Sequence, residues 1–582
     1  MQKGGMFLLE SLSTADLFTP EDFTDEHRMI ADTVKDFAVN EVAPHMEDLE
    51  HQKEGLMRSM LEKAGELGLL GADISEEYEG AELGITASAL ISQNVVAGGS
   101  YAVCHTAHTG IGTLPIVMFG NEEQKKKYLP GLATGSLAAA YALTEPMAGS
   151  DALAARTKAV LSDDGKYYIL NGEKMFITNA GFADVFVTYA KIDGEKFTAF
   201  IIDKDTPGFS LGAEEKKLGI KGSSTRSLIF EDAQVPVENV LGEIGKGHII
   251  AFNILNIGRF KLGAACVGSS QLAMEFTTKY ALERQQFKTP LAKFGMIQHK
   301  VAEMNVRTYA AESAVYRLAG VLEEALHGVE DKDIGAAIEE YAIECSITKI
   351  LGSEVLDYTV DEMVQIYGGY GYISEYPAER FFRDSRINRI FEGTNEINRL
   401  IIPGTILRRA MKGQIPLLQA AQALAQEVLN LRAAVPADDD SPLAAEKVMV
   451  EMAKKMFLMV GGSAAQKYMQ KLINEQEIIA ILADMVVEIY TMESCLLRAL
   501  KALEANAEDA ANKVELTKVY IYGTFPKMEV WGKEALAHMF EGDMLRTNLS
   551  VLKRMGKFAP IDLIALRRNI ANRAFNATGY VV

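Results

Sequence analysis

The sequence predicts a mainly α-helical chain with a central antiparallel β domain, running α, β, α and ending in a further helical unit. Three observations carry this. Helical spacing of apolar residues fills the first ~135 positions, a block of short β-branched and aromatic runs follows with no helices between them, and long helical periodicity returns afterwards. Helices that alternate with strands would signal βαβ units; their absence argues against a doubly wound nucleotide fold. The predicted domains are 1–135, 136–245, 246–410 and 415–582, which suits a 582-residue chain at about 150 residues per domain.

The first helix is predicted from Thr24 to Val42, because Met29, Ile30, Val34, Phe37, Ala38 and Val42 share one face and Thr24 can cap the start. Similar patterns run through Leu56–Leu67, Ile85–Val96 and Glu122–Leu129, separated by glycine-rich breaks. The strands are predicted at Tyr167–Leu170, Lys174–Thr178, Val185–Tyr189, Phe197–Ile202 and Ser227–Phe230. Asn171-Gly172 between the first two, and Asp193-Gly194 between two later ones, read as hairpin turns because both positions tolerate positive φ. Three long helical stretches follow, Ile249–Leu282, Phe294–Leu326 and Ile334–Tyr367, as in a helix bundle. Pro403, Gly404, Gly413 and Pro416 are expected to interrupt the pattern before Leu417–Leu431 and Leu443 to the end resume it. The acidic AVPADDDSP stretch around Asp438, Asp439 and Asp440 reads as an exposed connection.

With 48% hydrophobic and 24% charged residues the chain has the composition of a soluble globular protein. No near-continuous apolar stretch approaches the ~20 residues that cross a bilayer, so no transmembrane segment is expected. The amino terminus lacks the pattern of a secretory signal, which makes cytoplasm the expected compartment. A net charge of −20 would repel a phosphate backbone, and Lys125–Lys127 reads as the solvated face of a helix end, so nucleic acid is not an expected partner. The four cysteines are far apart and form no CxxC, and His105 and His108 lack a further ligand nearby, so no metal site is expected.

At the junction of the first helical block and the β domain stands Tyr141-Ala-Leu-Thr-Glu-Pro-Met-Ala-Gly-Ser-Asp151. A stiffening proline, a glycine that admits close backbone approach and two hydroxyls suit a planar heterocycle with a phosphate or pantetheine chain, and equally suit a plain capping loop. YALTEPMAGSD resembles the Y-x-x-T-E-P-x-x-G-S-D signature of the acyl-CoA dehydrogenase family. NGEKMFITNAG at 171–181, ERQQF at 283–287, QIYGGYGY at 365–372 and RIFEGTNEINR at 389–399 resemble further family segments in the same order and spacing. The resemblance covers about residues 20–405 and implies the family's α-β-α architecture. The remaining ~170 residues, with NILNIGRF at 253–260 and NEQEIIAILADMVVEIY at 474–490, are similar to the very-long-chain subfamily and its additional helical domain.

The resemblance implies an FAD-dependent enzyme of β-oxidation that converts fatty acyl-CoA thioesters to trans-2-enoyl-CoA. Glu392 is implied as the general base, removing the α-proton while the β-carbon yields hydride to the flavin. The main-chain N–H of that residue and a ribityl hydroxyl would polarise the thioester. Read from the residues alone, a glutamate before Gly393-Thr394-Asn395 fits an exposed turn equally well. Some relatives hold the base just before an arginine equivalent to Arg259; here that position is Gly258, which cannot serve.

For FAD the resemblance implies Tyr141, Leu143, Thr144, Ser150, Phe176, Ile177, Thr178, Thr394 and Glu396 in one subunit, with Phe176 standing where tryptophan is commoner. Arg284, Phe287, Gln298, Gln365, Gly368 and Gly369 are implied to reach the neighbouring subunit's cofactor, which implies a homo-oligomer. Ser150, Asn256, Arg259 and Gly393 are the implied substrate-binding residues, and His105, Ala107, Gly110 and Gly112 resemble the lining of the acyl channel's far end. Small side chains there favour long straight chains, although Pro115 replaces a glycine of the subfamily. Electron-transfer flavoprotein is the implied acceptor, an acyl-CoA oxidase or a non-catalytic assembly factor the alternatives. The extra domain favours a dimer over a tetramer.

Overall fold

The computed structural model describes residues 2–330, 332–427 and 441–582. Thr24 caps α1 (Asp25–Phe37) by accepting from the N–H of His27, and the chain continues through a wider turn at Ala38–Val42. There follow α2 (Met46–Glu50), α3 (Leu56–Glu66), α4 (Gly84–Asn94), α5 (Ser100–Thr106), a second π-type turn at Ala107–Gly112, α6 (Leu114–Phe119) and α7 (Glu122–Thr134). Asn121 and Gln124 form a reciprocal cap on α7. Of its three lysines Lys126 and Lys127 are exposed, but Lys125 is buried, because it lies on the core side of the helix beside Gln124.

The central sheet holds β1 (Ala139–Ala142), β2 (Lys158–Leu161), β3 (Tyr167–Thr178), β4 (Val185–Ile192), β5 (Lys196–Asp203), β6 (Phe209–Glu214), β7 (Thr225–Pro236) and β8 (Val240–Leu241). Its order is β6-β7-β3-β2-β4-β5-β8, with β1 also on β4. Pairing is antiparallel except where β1 and β2 each meet β4. Asp193-Gly194 is a tight β4–β5 turn with both residues at positive φ, as expected. Asn171-Gly172 is not a hairpin: it is a bulge inside the single strand β3. β2 and β7 occupy both edges of that strand, leaving no room for it to fold on itself. Gly172, at φ 150°, gives way to Thr157, whose side chain sits 2.6 Å from where a Cβ would be.

Beyond the sheet lie α8 (Gly247–Glu283), a small hairpin β9 (Gln285–Gln286) and β10 (Thr289–Pro290), α9 (Gly295–Leu326), α10 (Ile334–Glu340), α11 (Ala342–Tyr367), α12 (Ala378–Ser385) and α13 (Asn395–Met411). The Ile334–Tyr367 pattern therefore breaks once, at Tyr341. Pro403 does not end a helix; it is buried within α13, which stops only near Gly413 at φ 70°. α8 has the length and apolar composition to cross a bilayer, although polar residues interrupt its apolar runs, and it is mostly buried in protein, as in a core helix.

The last helices are α14 (Leu417–Glu427), α15 (Ala444–Tyr468), α16 (Gln476–Glu504), α17 (Ala510–Met539), α18 (Gly542–Met555) and α19 (Leu563–Ala577). The expected end of α14 at Leu431 and the acidic residues Asp438–Asp440 lie outside the described residues. α16 packs on α9 and α13, and α19 packs on α9. Residues 2–23 do not join the first helices but lie across this junction. Phe7 stacks edge-on against Tyr490 of α16 at 4.9 Å, and Gly5 donates to Glu344 of α11 at 2.7 Å. Arg498 of α16 binds both Glu312 of α9 and Glu21.

Burial pushes the Glu21 carboxyl up, but Arg498 and Lys513 beside it overcome this and hold it at about 2. A depressed folded-state value means a contribution fully present above about pH 4.5 and lost as pH falls toward about 2. Glu21→Gln should therefore lower the thermal midpoint at neutral pH, and the gap from wild type should narrow as pH drops through that window. Thermal scans over a pH series check this, and a gap that stays constant contradicts it.

Candidate active site

The loop before α13 contains two consecutive left-handed residues, Glu392 at φ 56° and Gly393 at φ 77°. A non-glycine residue there is disfavoured by roughly 1–2 kcal/mol and persists only where surroundings hold it. Here they do. The Arg259 Nε donates to the Glu392 carbonyl at 3.0 Å, Lys349 Nζ to the Gly393 carbonyl at 2.7 Å, and Asn398 Nδ2 to the Gly393 and Thr394 carbonyls at 3.0 Å each. Thr394 caps α13, and the Asn395 Oδ1 gives Lys349 a second acceptor at 2.6 Å.

The grip on the main chain leaves the side chain free. The Glu392 carboxylate faces Gly258 of α8, where a Cβ would stand 2.8 Å from Oε2. Oε2 is buried and has no hydrogen-bond partner among the described residues. Burial pushes this carboxyl up to about 7, against the opposing charges of Arg259 and Lys349. Burial in turn brings the Lys349 ammonium down to about 8.

A cavity of about 1050 Å³ opens from Glu392. One wall is a stripe of α8, Gly258, Leu262, Ala265, Ser269, Leu272 and Phe276, spaced alternately four and three residues apart. At 1.5 Å per residue the stripe is about 27 Å long. The lining also includes the small residues Ala102, Ala107 and Gly110, as well as Thr178 and Phe391, the residue before Glu392. His105 and Gly112 do not line it, contrary to expectation. His105 turns into the core toward Tyr101, and Gly112 is pressed against Ala139. His108 bridges the Leu132 carbonyl and the Ala139 N–H, joining the helical domain to β1. Burial brings His105 to about 3 and His108 to about 4, so both rings are neutral.

Arg259 and Asn256, expected on substrate, are buried behind the loop: Arg259 Nη1 donates to Asn256 Oδ1 at 2.7 Å and its Nε holds Glu392. They stand one turn apart on a single face. Gly393 is held by Lys349, and Ser150 is exposed on its loop. Of the residues implied for FAD, Thr178 reaches the cavity wall. Tyr141, Leu143, Thr144, Phe176 and Ile177 do not line it; the segment after β1 is joined to β3 where the Met175 N–H donates to the Thr144 carbonyl at 2.9 Å. Phe176, at φ 61°, is 58% exposed. Glu396 is exposed in the first turn of α13.

Arg284, Gly368 and Gly369 meet elsewhere, around a second cavity of about 420 Å³ beyond the end of α8. Phe287 is 89% exposed on the β9–β10 turn, Gln365 is exposed, and Gln298 is turned to the Ala292 carbonyl. From Gly258 to Glu283 α8 rises about 37 Å. Arg284 and the two glycines thus lie at the end of α8 remote from Glu392.

Sequence reasoning missed Lys349, Asn395 and Asn398, which hold the loop; a lysine inside the apolar run Ile347-Thr348-Lys349-Ile350-Leu351 was the available signal. It also gave no role to Glu145. This residue is buried against Lys174 at 2.7 Å and accepts the N–H groups of Arg156 and Thr157, which ties the Thr144–Asp151 loop to β3.

Residues 24–136, 140–233 and 245–407 match family models described as the N-terminal, middle and C-terminal domains of acyl-CoA dehydrogenase. Residues 452–554 match a further model also described as an acyl-CoA dehydrogenase C-terminal domain. The chain is 53% identical over 590 aligned residues to a probable acyl-CoA dehydrogenase of Bacillus subtilis, covering 100% of this chain and 99% of that one. To the very long-chain specific acyl-CoA dehydrogenase of Homo sapiens it is 35% identical over 82% of this chain and 73% of that one. The crystal structure of an acyl-CoA dehydrogenase complexed with FAD from Bacillus anthracis superposes with a TM-score of 0.97 at 55% identity, covering 100% of both chains. The chain thus belongs to the acyl-CoA dehydrogenase family and is an FAD-dependent oxidoreductase of acyl-CoA thioesters.

Proposed function

We propose that Glu392 is the general base that removes the α-proton of a long straight-chain acyl-CoA, and that the electrons pass to an electron-transfer flavoprotein. The single observation that carries this is the Glu392 carboxylate at the head of the cavity, with its Oε2 buried and unpartnered among the described residues. A base that titrates near neutrality matches a weakly acidic C–H better than an ordinary carboxylate does. Bound FAD supplies the acceptor for the hydride leaving the β-carbon. The chain's own part is to hold the carboxylate in place through Arg259, Lys349 and Asn398, to exclude water with the α8 stripe, and to offer the Glu392 N–H to the thioester oxygen. The roughly 27 Å stripe supports a long substrate, since each methylene laid along it gains burial worth about 0.8 kcal/mol. The Arg284–Gly369 cluster, at the end of α8 remote from Glu392, serves the cofactor of a second subunit in this reading.

Glu392→Gln should keep the fold, the flavin colour and acyl-CoA binding while slowing anaerobic flavin bleaching by about 10²- to 10⁴-fold. Near wild-type bleaching in rapid mixing would remove Glu392 from this role. Because a side chain rooted at 258 starts where the carboxylate now ends, Glu392→Gly with Gly258→Glu should recover part of the rate. The φ of 56° at 392 suits glycine.

The pH profile carries its own test. A base at about 7 in the free enzyme makes kcat/KM fall about tenfold per pH unit on the acid side and level off above. Residual activity of Glu392→Gln should lack that limb, and a flat wild-type profile through neutrality would contradict the reading.

The extra helices cover faces of α9 and α13, so the assembly is proposed to stop at a dimer. Light scattering of the FAD-loaded protein should give twice the chain mass; a tetramer would overturn it. Acceptor preference, measured with electron-transfer flavoprotein against oxygen, checks the electron partner.

A further inference from the structure

The end of the cavity opposite Glu392 is not built by the catalytic domains alone. Ala577, Thr578, Gly579 and Tyr580, which follow the last helix of the extra domain, border it together with Gln271 and Glu275 of α8. Ala577 and Thr578 are exposed, whereas Gly579 is buried and Tyr580 half-buried. The segment therefore lies where the cavity meets the protein surface.

It is held firmly. The Tyr580 hydroxyl donates to Glu312 of α9 at 2.8 Å, and Glu312 is also bound by Arg498 at 2.9 Å and by Gln271 at 2.8 Å. Val581 exchanges two main-chain hydrogen bonds with the Asn305 amide, at 3.0 and 2.7 Å. The character of the walls changes over the same distance. Near Glu392 the α8 residues Gly258, Leu262 and Ala265 are small or apolar, and Lys261 beside them is paired with Asp73; at the lip Gln93, Gln271, Glu275 and Tyr580 make the wall polar.

We propose that residues 577–580 form the far lip of the acyl cavity and set the chain length at which lengthening the substrate stops being rewarded. This rests on the reading of the cavity as the acyl site. Methylenes lying between Leu262 and Leu272 leave water and raise affinity about fourfold each, while those passing the lip return to a polar surface and add nothing. The extra domain thereby shapes specificity from the side of the molecule away from the reacting carbons.

The test is a substrate series, octanoyl-, dodecanoyl-, hexadecanoyl- and icosanoyl-CoA, with the FAD-loaded enzyme and a ferricenium acceptor. A Cβ at Gly579 would meet only Glu275, at 3.9 Å, so the backbone accepts a side chain there. Gly579→Phe should leave kcat/KM for octanoyl-CoA unchanged and lower it for the two longest substrates by about tenfold or more, the equivalent of about two lost methylenes. A uniform loss at every length, or an unaltered profile, overturns the lip. A variant that does not fold is answered by the wild-type enzyme: a hexadecanoyl-CoA analogue with a terminal diazirine should label the peptide containing Gly579 or that containing Gln271. Labelling confined to Val103–Gly110 overturns the proposal. If no acyl-CoA of any length bleaches the wild-type flavin, the reading of the site itself has failed; bleaching without a change in the Gly579→Phe profile leaves that reading standing and removes the lip alone.

Discussion

The site depends on main-chain carbonyls being held by buried cations. Arg259 takes the Glu392 carbonyl and Lys349 the Gly393 carbonyl, so the positive charges are spent on backbone oxygen and neither is seated on the carboxylate. A direct ion pair would have held the carboxyl low and made it a poor base. Instead the two charges temper, without cancelling, the effect of burial, and the group comes to about 7. The same contacts keep a glutamate in the left-handed backbone conformation that turns its side chain toward Gly258.

α8 makes that arrangement possible because one helix serves two purposes at once. Its glycine at 258 leaves space for the carboxylate, and its next residue, Arg259, reaches behind the loop. From there the stripe to Phe276 lays down the apolar wall. Glycine at 263 and 268 brings α11 and α4 close enough that a Cβ would strike the Thr348 carbonyl at 3.0 Å and the Gln93 carbonyl at 1.8 Å. The wall is thus rigid as well as apolar, since helices at backbone contact have little freedom to slide.

The extra helices are bound by charges buried at their junction. Glu493 of α16 meets Arg317 of α9 at 2.8 Å and Lys454 of α15 at 2.6 Å, with the Ser11 hydroxyl as a third donor at 2.7 Å. Burial raises the Glu493 carboxyl, and the two cations overcome it. Removing one member of such a cluster leaves an uncompensated charge, typically a loss of about 3–5 kcal/mol, so the junction tolerates little change in partners. This explains why residues 2–23 lie here: Ser11 binds Glu493 and Lys454, and Glu21 and Asp22 meet Arg498 and Lys501, the cations that α16 carries inward.

Local signals were strong enough in the sequence to show the α, β, α, α order, the Thr24 cap, the Asp193-Gly194 turn and the family motifs around Tyr141 and Glu392, because capping, turn chemistry and periodicity act over a few neighbouring residues. Whether Asn171-Gly172 folds a hairpin or bulges a strand was not legible, since it depends on β2 and β7 arriving at both edges from distant parts of the chain. Pro403 likewise looked like a terminator until the core around α13 was seen to accept it. In the site, the sequence marked Glu392 and Arg259, but only the packing of α8 against the loop shows that Arg259, steadied by Asn256, binds the Glu392 carbonyl. Lys349, Gly258 opposite the carboxylate and the lip at Gly579 lie tens to hundreds of residues from one another, and no spacing pattern encodes such meetings. The sequence by itself determined which groups can do the chemistry, because side-chain type is local; tertiary structure decided which of them face the cavity and with what proton affinity, because burial and the placement of charge are properties of the assembled interior.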